Sequence, residues 1–176
     1  MLVEFADFGC KYCERFATEV YPLVEERYVS TGRLRFGFKH LPLRSHPLAR
    51  EEAVASECVA KQDPFAFWRI HDRLFADARR VHGIEDVYRE IGVIGVAASE
   101  AKRCVAGRGG YASIQADIDE AHGLGLSGTP AFALGTVESD RVTILKTRTG
   151  FATFERLASW IDETLDGGTT TRVARP

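Results

Sequence analysis

The chain has 176 residues, of which 45% are hydrophobic and 27% are charged, and its formal net charge is -2. This length predicts one domain with a sizeable core and leaves room for an inserted subdomain. The small negative charge provides no basic field for a phosphate backbone, so we expect no nucleic-acid partner. No apolar stretch approaches the length that spans a bilayer, so we expect a protein that is not membrane-embedded.

The first elements in chain order are a strand, a helix and a second strand. The run from Leu2 to Phe8 is apolar and is bounded by Gly9, which predicts a buried strand. Apolar side chains then recur at helical spacing from Lys11 to Tyr28, and Pro22 inside this pattern predicts a kink. Apolar and polar residues alternate from Leu34 to Lys39, as in a strand with one buried face.

The rest of the chain is a helical block followed by two strands and a helix. Residues 47–122 are rich in alanine and charge, and Gly and Pro interrupt them at intervals that predict four or five helices. Strands are predicted over 131–134 and 142–146 with a turn at 138–140, and an amphipathic helix closes the pattern at Leu165. The sequence therefore predicts an α/β unit over 1–44 and 124–166, a helical insertion over 45–123 and a disordered tail over 167–176.

Cys10 and Cys13 lie two residues apart where the first strand passes into the helix. Unpaired backbone N–H groups and the positive end of the helix dipole favour a thiolate at that position, and Lys11 adds a positive charge. Cys13 lies one helical turn further on, close enough to attack a mixed disulfide on Cys10. We therefore predict an exposed, nucleophilic Cys10 and a buried, resolving Cys13.

The same C-x-x-C spacing also occurs in zinc sites, where it supplies two of four thiolates. A second C-x-x-C or C-x-x-H is absent from the sequence, so Cys58 and Cys104 would have to complete such a site from the helical block. The strand-to-helix pattern favours redox chemistry with no metal and no cofactor beyond the cysteine pair. A zinc-binding domain without catalysis is the alternative.

Thr129-Pro130 enters a predicted strand after a Gly-rich turn. An X-Pro bond at a tight strand entrance is a candidate for the cis form, and proline has no N–H to compete with an incoming chain. If this loop faces the cysteines, the Thr129 backbone could pair with an extended substrate. An ordinary trans-proline that opens an edge strand is the alternative, because cis is the minority isomer.

Glu4 and the other two cysteines each leave two interpretations open. If both faces of the first strand are covered, burial raises the pKa of Glu4, which could then exchange protons with the resolving thiol. An exposed strand edge would instead leave Glu4 solvated. Cys58 and Cys104 fit either two inert buried thiols or a disulfide, and a disulfide would imply an oxidising compartment.

Four stretches of the chain together resemble the DsbA-like thiol-disulfide oxidoreductases of the thioredoxin superfamily. They are VEFADFGCKYC over 3–13, FKHLPL over 38–43, ECVAKQDPFAFWRIHDRLF over 57–75 and GLSGTPAFALG over 125–135. The stretches span nearly the whole chain in the order that the family has them. The likeness is therefore far more specific than a C-x-x-C alone.

The resemblance implies a thioredoxin fold, with a central mixed sheet flanked by helices and an inserted all-helical subdomain. It implies that Cys10 attacks, that Cys13 resolves, and that a cis bond at Thr129-Pro130 packs opposite the pair. Glu4 matches a buried acid that the family often carries before the motif. Relatives with cysteines near Cys58 and Cys104 tend to join them as a structural disulfide.

The implied activity is disulfide exchange with protein thiols in the disulfide-forming direction, with re-oxidation by a membrane partner in a bacterial envelope. Lys11 and Tyr12 stand where the best-known oxidants have Pro-His, and that dipeptide sets thiolate stability. The alternatives are therefore a disulfide reductase or isomerase, or a glutathione-using enzyme of the same fold. We expect a periplasmic or other extracytoplasmic protein whose signal peptide is absent from this chain, with a cytoplasmic protein as the alternative.

Overall fold

The computed structural model describes residues 1–76, 81–139 and 141–167. Within them the sheet has four strands in the order β2-β1-β3-β4. The central strand β1 (Leu2–Ala6) runs parallel to β2 (Phe36–His40) and antiparallel to β3 (Ala131–Glu138), and β4 (Arg141–Thr149) pairs antiparallel with β3. The sheet is mixed, as the resemblance implies.

The helical stretch after β1 changes its hydrogen-bonding pattern twice. It consists of α1 (Lys11–Arg15), a π-helical turn over Phe16–Val20, α2 (Tyr21–Val24) and a second π-helical turn over Glu25–Val29. Pro22 lies in the first turn of α2, where its missing N–H breaks the regular i to i-4 pattern. The expected disturbance at Pro22 is thus accompanied by a wider turn on each side, which the apolar spacing alone does not predict.

Between β2 and β3 the described residues form five helices. These are α3 (Ala49–Ala60), α4 (Ala66–Ala76), α5 (Ile84–Val93), α6 (Ala98–Ala106) and α7 (Tyr111–Gly123). The breaks between them coincide with the Gly and Pro positions of the sequence, and a disulfide joins Cys58 on α3 to Cys104 on α6. This is the thioredoxin fold with an inserted helical domain; the exact boundaries of the two units stay a prediction.

Four apolar clusters fill the described parts of the sheet and the insertion, and three of them include residues of the sheet. Leu2, Phe16, Phe132 and Leu157 belong to the cluster beneath the first helical stretch and α8 (Phe154–Gly167). Side chains of the opposite parity on β1 pack with the cluster that includes Ala121 of α7. Both faces of β1 are therefore covered, because alternate residues of a strand point to opposite faces.

The third cluster joins the carboxyl end of β1 to the helical insertion. Phe8 lies 4.9 Å from Phe75 of α4 and 5.6 Å from Phe38 of β2, measured between ring centroids. Cys10 and Cys13 belong to this same cluster. The insertion is thus packed directly against the cysteine motif.

Some boundaries differ from the sequence-based expectation. β3 and β4 are longer than predicted, since their pairing continues through an irregularity at Leu134/Gly135. A side chain at Gly135 would collide with the Thr143 carbonyl, so only glycine allows this close approach. The predicted tail over 167–176 lies outside the described residues except for Gly167, which ends α8, and Asp140 of the predicted turn also lies outside them. No helix in the described ranges is long and apolar enough to cross a bilayer.

Candidate active site

The two cysteines lie at the carboxyl end of the central strand. Cys10 has extended backbone angles and immediately precedes α1, and Cys13 lies inside that helix. Both cysteines are free thiols. The strand-to-helix junction expected from the sequence is therefore present, with Cys10 as the residue that caps the amino-terminal end of α1.

Cys10 is only 6% exposed, so the expectation of an exposed thiol is wrong. The residues around it explain the burial, because it packs in the cluster with Phe8 and its thiol donates a hydrogen bond to the Thr129 carbonyl at 3.5 Å. Neighbouring residues therefore cover most of the Cys10 side chain.

The pKa of Cys10 is lowered to about 5, chiefly because the Cys13 thiol donates a hydrogen bond to its sulfur. Burial opposes this shift, while the Thr129 side chain and the backbone N–H groups of Cys13 and Tyr12 reinforce it. The Cys13 and Tyr12 donors lie at the start of the helix, as the sequence predicts. Cys10 is therefore largely a thiolate at neutral pH in the reduced protein.

Lys11 and Tyr12 lie between the two cysteines and contact each other. The Lys11 Nζ lies 5.0 Å from the centroid of the Tyr12 ring. Tyr12 is 44% exposed, and its ring centroid lies 6.3 Å from that of Phe151. Hydrogen bonds are the largest contributions to the low pKa of Cys10, and a tuning role for the Lys11 charge stays a prediction.

Cys13 has the opposite electrostatic environment. Burial raises its pKa well above the ordinary thiol value, and the hydrogen bond to Cys10 and the charge of Glu4 raise it further. Glu4 is 1% exposed, and neither of its carboxyl oxygens has a hydrogen-bond partner among the described residues. Burial, followed by the Cys10 charge, raises the pKa of Glu4 as well. An exposed strand edge for Glu4 is therefore wrong, because β1 is a central strand.

The Thr129–Pro130 loop lies against the pair. The peptide bond between these residues is cis, and Pro130 is buried at the start of β3. The Pro130 carbonyl accepts a hydrogen bond from the Gly150 N–H at 2.8 Å, which ties the loop to the end of β4. The buried Thr129 hydroxyl has no hydrogen-bond partner among the described residues while Cys10 is a thiol, and it lowers the pKa of Cys10 by donating to the thiolate. Residues 119 positions apart are thus brought together at one sulfur.

Asp7 is a site residue that the sequence analysis missed. Its Oδ1 accepts the Gly9 N–H at 2.7 Å, and its Oδ2 accepts the Leu43 N–H at 2.7 Å and lies 2.8 Å from Nδ1 of His46. The pattern Asp-Phe-Gly directly after an apolar strand is a signal for such a turn, because Asp side chains bond the backbone two residues on. This carboxylate fixes the loop that leads into Cys10.

The arrangement does not favour a zinc site. Cys58 and Cys104 are bonded to each other and so cannot supply thiolates beside Cys10 and Cys13. Over residues 1–76, 81–139 and 141–167, no group of three or more His, Cys, Asp or Glu side chains is placed to hold a metal ion.

The fold and the dithiol together define a protein of the thioredoxin class. The family model described as thioredoxin matches residues 1–163, and the chain belongs to this family. Its fold is that of the DsbA-like members. BdbD from Bacillus subtilis superposes with a TM-score of 0.75 at 21% identity, over 94% of this chain and 87% of that one. DsbA from Chlamydia trachomatis gives a TM-score of 0.75 at 18% identity, over 95% and 85% of the two chains.

Two kinds of curated relative are similar in sequence. The Na(+)/H(+) antiporter NhaA 3 of Salinispora tropica is 35% identical over 74% of this chain and 19% of its own length. The disulfide bond formation protein D of Bacillus subtilis is 34% identical over 42% of this chain and 33% of its own length. The matched region is thus a third or less of each of these relatives.

Proposed function

We propose that the protein is a thiol-disulfide oxidoreductase that oxidises protein thiols through Cys10 and Cys13. The observation that carries this proposal is the opposite displacement of the two pKa values: that of Cys10 falls to about 5, and that of Cys13 rises. A thiolate that is stable at neutral pH is a good leaving group, and it stabilises the reduced form of the pair. The pair therefore favours accepting electrons.

The reaction begins when a substrate thiolate attacks Sγ of Cys10 in the disulfide form. A bond forms between the substrate sulfur and Cys10, and the bond between Cys10 and Cys13 breaks. A second substrate thiolate then attacks the first substrate sulfur and releases Cys10 as a thiolate. The substrate gains one disulfide and loses two electrons, which the cysteine pair receives.

Glu4 exchanges the proton that Cys13 needs. Cys13 leaves as a thiolate, and its raised pKa means that it takes up a proton at once. The raised pKa of Glu4 keeps a proton on the carboxyl, which can donate it to Cys13 and accept it back when the pair is re-oxidised. Burial of both groups leaves water a poor substitute for this transfer.

The site of action is proposed to lie outside the cytoplasm. The bond between Cys58 and Cys104 supports this location, since structural disulfides persist in oxidising compartments. Re-oxidation requires an acceptor for two electrons, and we assign that role to a membrane partner of the bacterial envelope. A cytoplasmic reductase is the alternative, and fractionation of cells with an antibody against the chain distinguishes the two locations.

The reduction potential of the 10–13 pair is the decisive measurement. Equilibration with glutathione buffers followed by mass analysis gives the fraction oxidised, and we expect a value well above that of thioredoxin, which is about -270 mV. A value near that of thioredoxin would overturn the oxidase assignment in favour of a reductase. Oxidative refolding of a reduced, unfolded disulfide protein provides the matching activity assay.

A further inference from the structure

A cavity of about 410 Å³ opens beside Gly9, the residue before Cys10. Its walls are mostly apolar and come from the loop after β1, the start of α3 and the segment before α5. They include Phe8, Pro47, Leu48 and Val81, with Glu52 and His46 as polar members. Because Gly9 is part of the lining, the cavity is next to the residue whose sulfur would carry a mixed disulfide.

Glu52 is the unusual residue in this cavity. It lies on α3, it is 5% exposed, and its Oε2 has no hydrogen-bond partner among the described residues. Burial raises its pKa to about 7, the charges of Asp7 and Glu51 raise it too, and His46 acts in the opposite direction. A buried carboxyl without a partner is costly unless a ligand supplies one.

The chemistry of the cavity fits a long cationic side chain. The apolar walls can cover a methylene stem, and the carboxyl of Glu52 can accept a hydrogen bond from the charged end. An anionic group would meet the charges of Asp7 and Glu52. A metal ion lacks ligands, because no suitable cluster occurs in the described residues. Lysine and arginine are the side chains that combine such a stem with a cation.

We propose that this cavity selects substrate segments that carry a lysine or arginine close to the reacting cysteine, with Glu52 as the residue that determines the preference. The inference rests on the proposed function and adds the class of substrate segment to it. Glu52 acts by binding the substrate cation and takes no part in the sulfur chemistry. Gly9 is part of the cavity lining, whereas Thr129 and Pro130 are not.

The test is a scan of peptides that contain one cysteine and, at each of the three positions on either side, either lysine or glutamine. The rate at which each peptide thiol reacts with the oxidised protein gives a lysine-to-glutamine ratio of kcat/KM. We expect one position with a ratio of about ten, which is what a single charge-assisted hydrogen bond supplies. The ratio should fall to about one in Glu52→Gln.

Glu51→Gln is the matched control, since Glu51 carries the same charge on the same helix but is exposed. We expect it to keep the preference. A ratio that is equal in the wild type and Glu52→Gln overturns the inference, and so does a ratio near one at every position. If no peptide reacts at all, the proposed function itself fails; this outcome differs from an active protein with no preference.

A measurement on the wild type serves if Glu52→Gln does not fold. Lowering the pH from 8 to 6 adds a proton to Glu52, whose pKa is about 7. His46 and His82 are the other titratable residues of the cavity lining, and the charges of Asp7 and Glu51 act on Glu52 from outside that lining. Protonation of Glu52 weakens the attraction for a cation, so the lysine-to-glutamine ratio should fall between pH 8 and pH 6. A ratio that stays constant over this range contradicts the inference.

Discussion

The sulfur of Cys10 lies 3.5 Å from the carbonyl oxygen of Thr129, although 119 positions separate the two residues. This contact brings the end of β1 and the start of β3 to one point. It also makes the Thr129 loop part of the surroundings of the sulfur, so the loop both covers Cys10 and lowers its pKa. The thiol chemistry therefore depends on a residue far from the C-x-x-C motif in sequence.

Replacing Cys10 by serine is expected to abolish disulfide exchange. Among the described residues the other free thiol is that of Cys13, which is buried and has a raised pKa. Cys13→Ser should instead accumulate a mixed disulfide on Cys10, since nothing remains to resolve it. Non-reducing mass analysis after mixing with a disulfide peptide measures both results. Exchange that persists in Cys10→Ser would assign the attack to another sulfur.

The alkylation rate of reduced Cys10 should follow a titration with a midpoint near the pKa of about 5. Because the Cys13 hydrogen bond is the largest cause of the low pKa, Cys13→Ala should move the midpoint upward. Iodoacetamide labelling across pH 3.5–9 checks both values. An unchanged midpoint in Cys13→Ala would show that the helix backbone and Thr129 stabilise the thiolate without it.

Replacing Glu4 by glutamine keeps its size and removes its titratable proton. Loss of a positioned proton donor should slow the step that protonates Cys13 by on the order of a hundredfold. Glu14→Gln on α1 is the control, because Glu14 is near the pair in sequence but is not among the main causes that shift either cysteine pKa. Stopped-flow reduction of the oxidised protein measures the step. Equal rates in Glu4→Gln and Glu14→Gln would exclude Glu4 from proton transfer.

The disulfide between Cys58 and Cys104 is expected to stabilise the protein without taking part in exchange. It closes a loop with a sequence separation of 46, and the chain-entropy model assigns about 4 kcal/mol to a loop of this size. The double variant Cys58→Ala/Cys104→Ala should therefore unfold at lower urea concentration and keep its exchange activity at temperatures where it is folded. Unchanged stability would show that α3 and α6 pack equally well without the bond.

Glu52 should make the stability of the protein fall as pH rises. Its pKa in the folded protein is about 7, above its ordinary value of 4.5, so the folded state holds the proton more tightly than the unfolded state. The stabilisation is complete below about pH 4.5 and is lost as pH rises through 7. Thermal melts should therefore show that the Tm of Glu52→Gln rises relative to that of the wild type as the pH increases over this range. A Tm difference that stays constant with pH would contradict the pKa shift.

The sequence predicts the order of the elements well, because Gly and Pro mark almost every break. Leu2 to Phe8, the breaks in the helical block and the entrance at Pro130 are all local signals, and the structure has an element boundary at each. The burial of Glu4 was not decidable from its own strand, since it depends on β2 and β3 flanking β1. The burial of Cys10 escaped prediction for the same reason: the covering residue is Thr129.

The π-helical turns and the Glu52 cavity belong to a second group of features that the sequence did not reveal. The turns require knowledge of which carbonyl each N–H reaches; the Tyr21 N–H, for example, donates to the Phe16 carbonyl. The cavity forms between residues from three separate segments. An amphipathic pattern indicates which face of a helix is apolar, but it does not indicate which distant segments that face contacts.

Asp7 links the loop before Cys10 to the cavity that contains Glu52, so a substitution at Asp7 affects both. Its single buried carboxylate holds the Gly9 N–H in the loop before Cys10 and also holds His46 at the rim of the Glu52 cavity. A substitution there is expected to be pleiotropic, altering both the reactivity of the sulfur and the choice of substrate segment. Divergence of either trait in homologous proteins should therefore begin at positions other than this one.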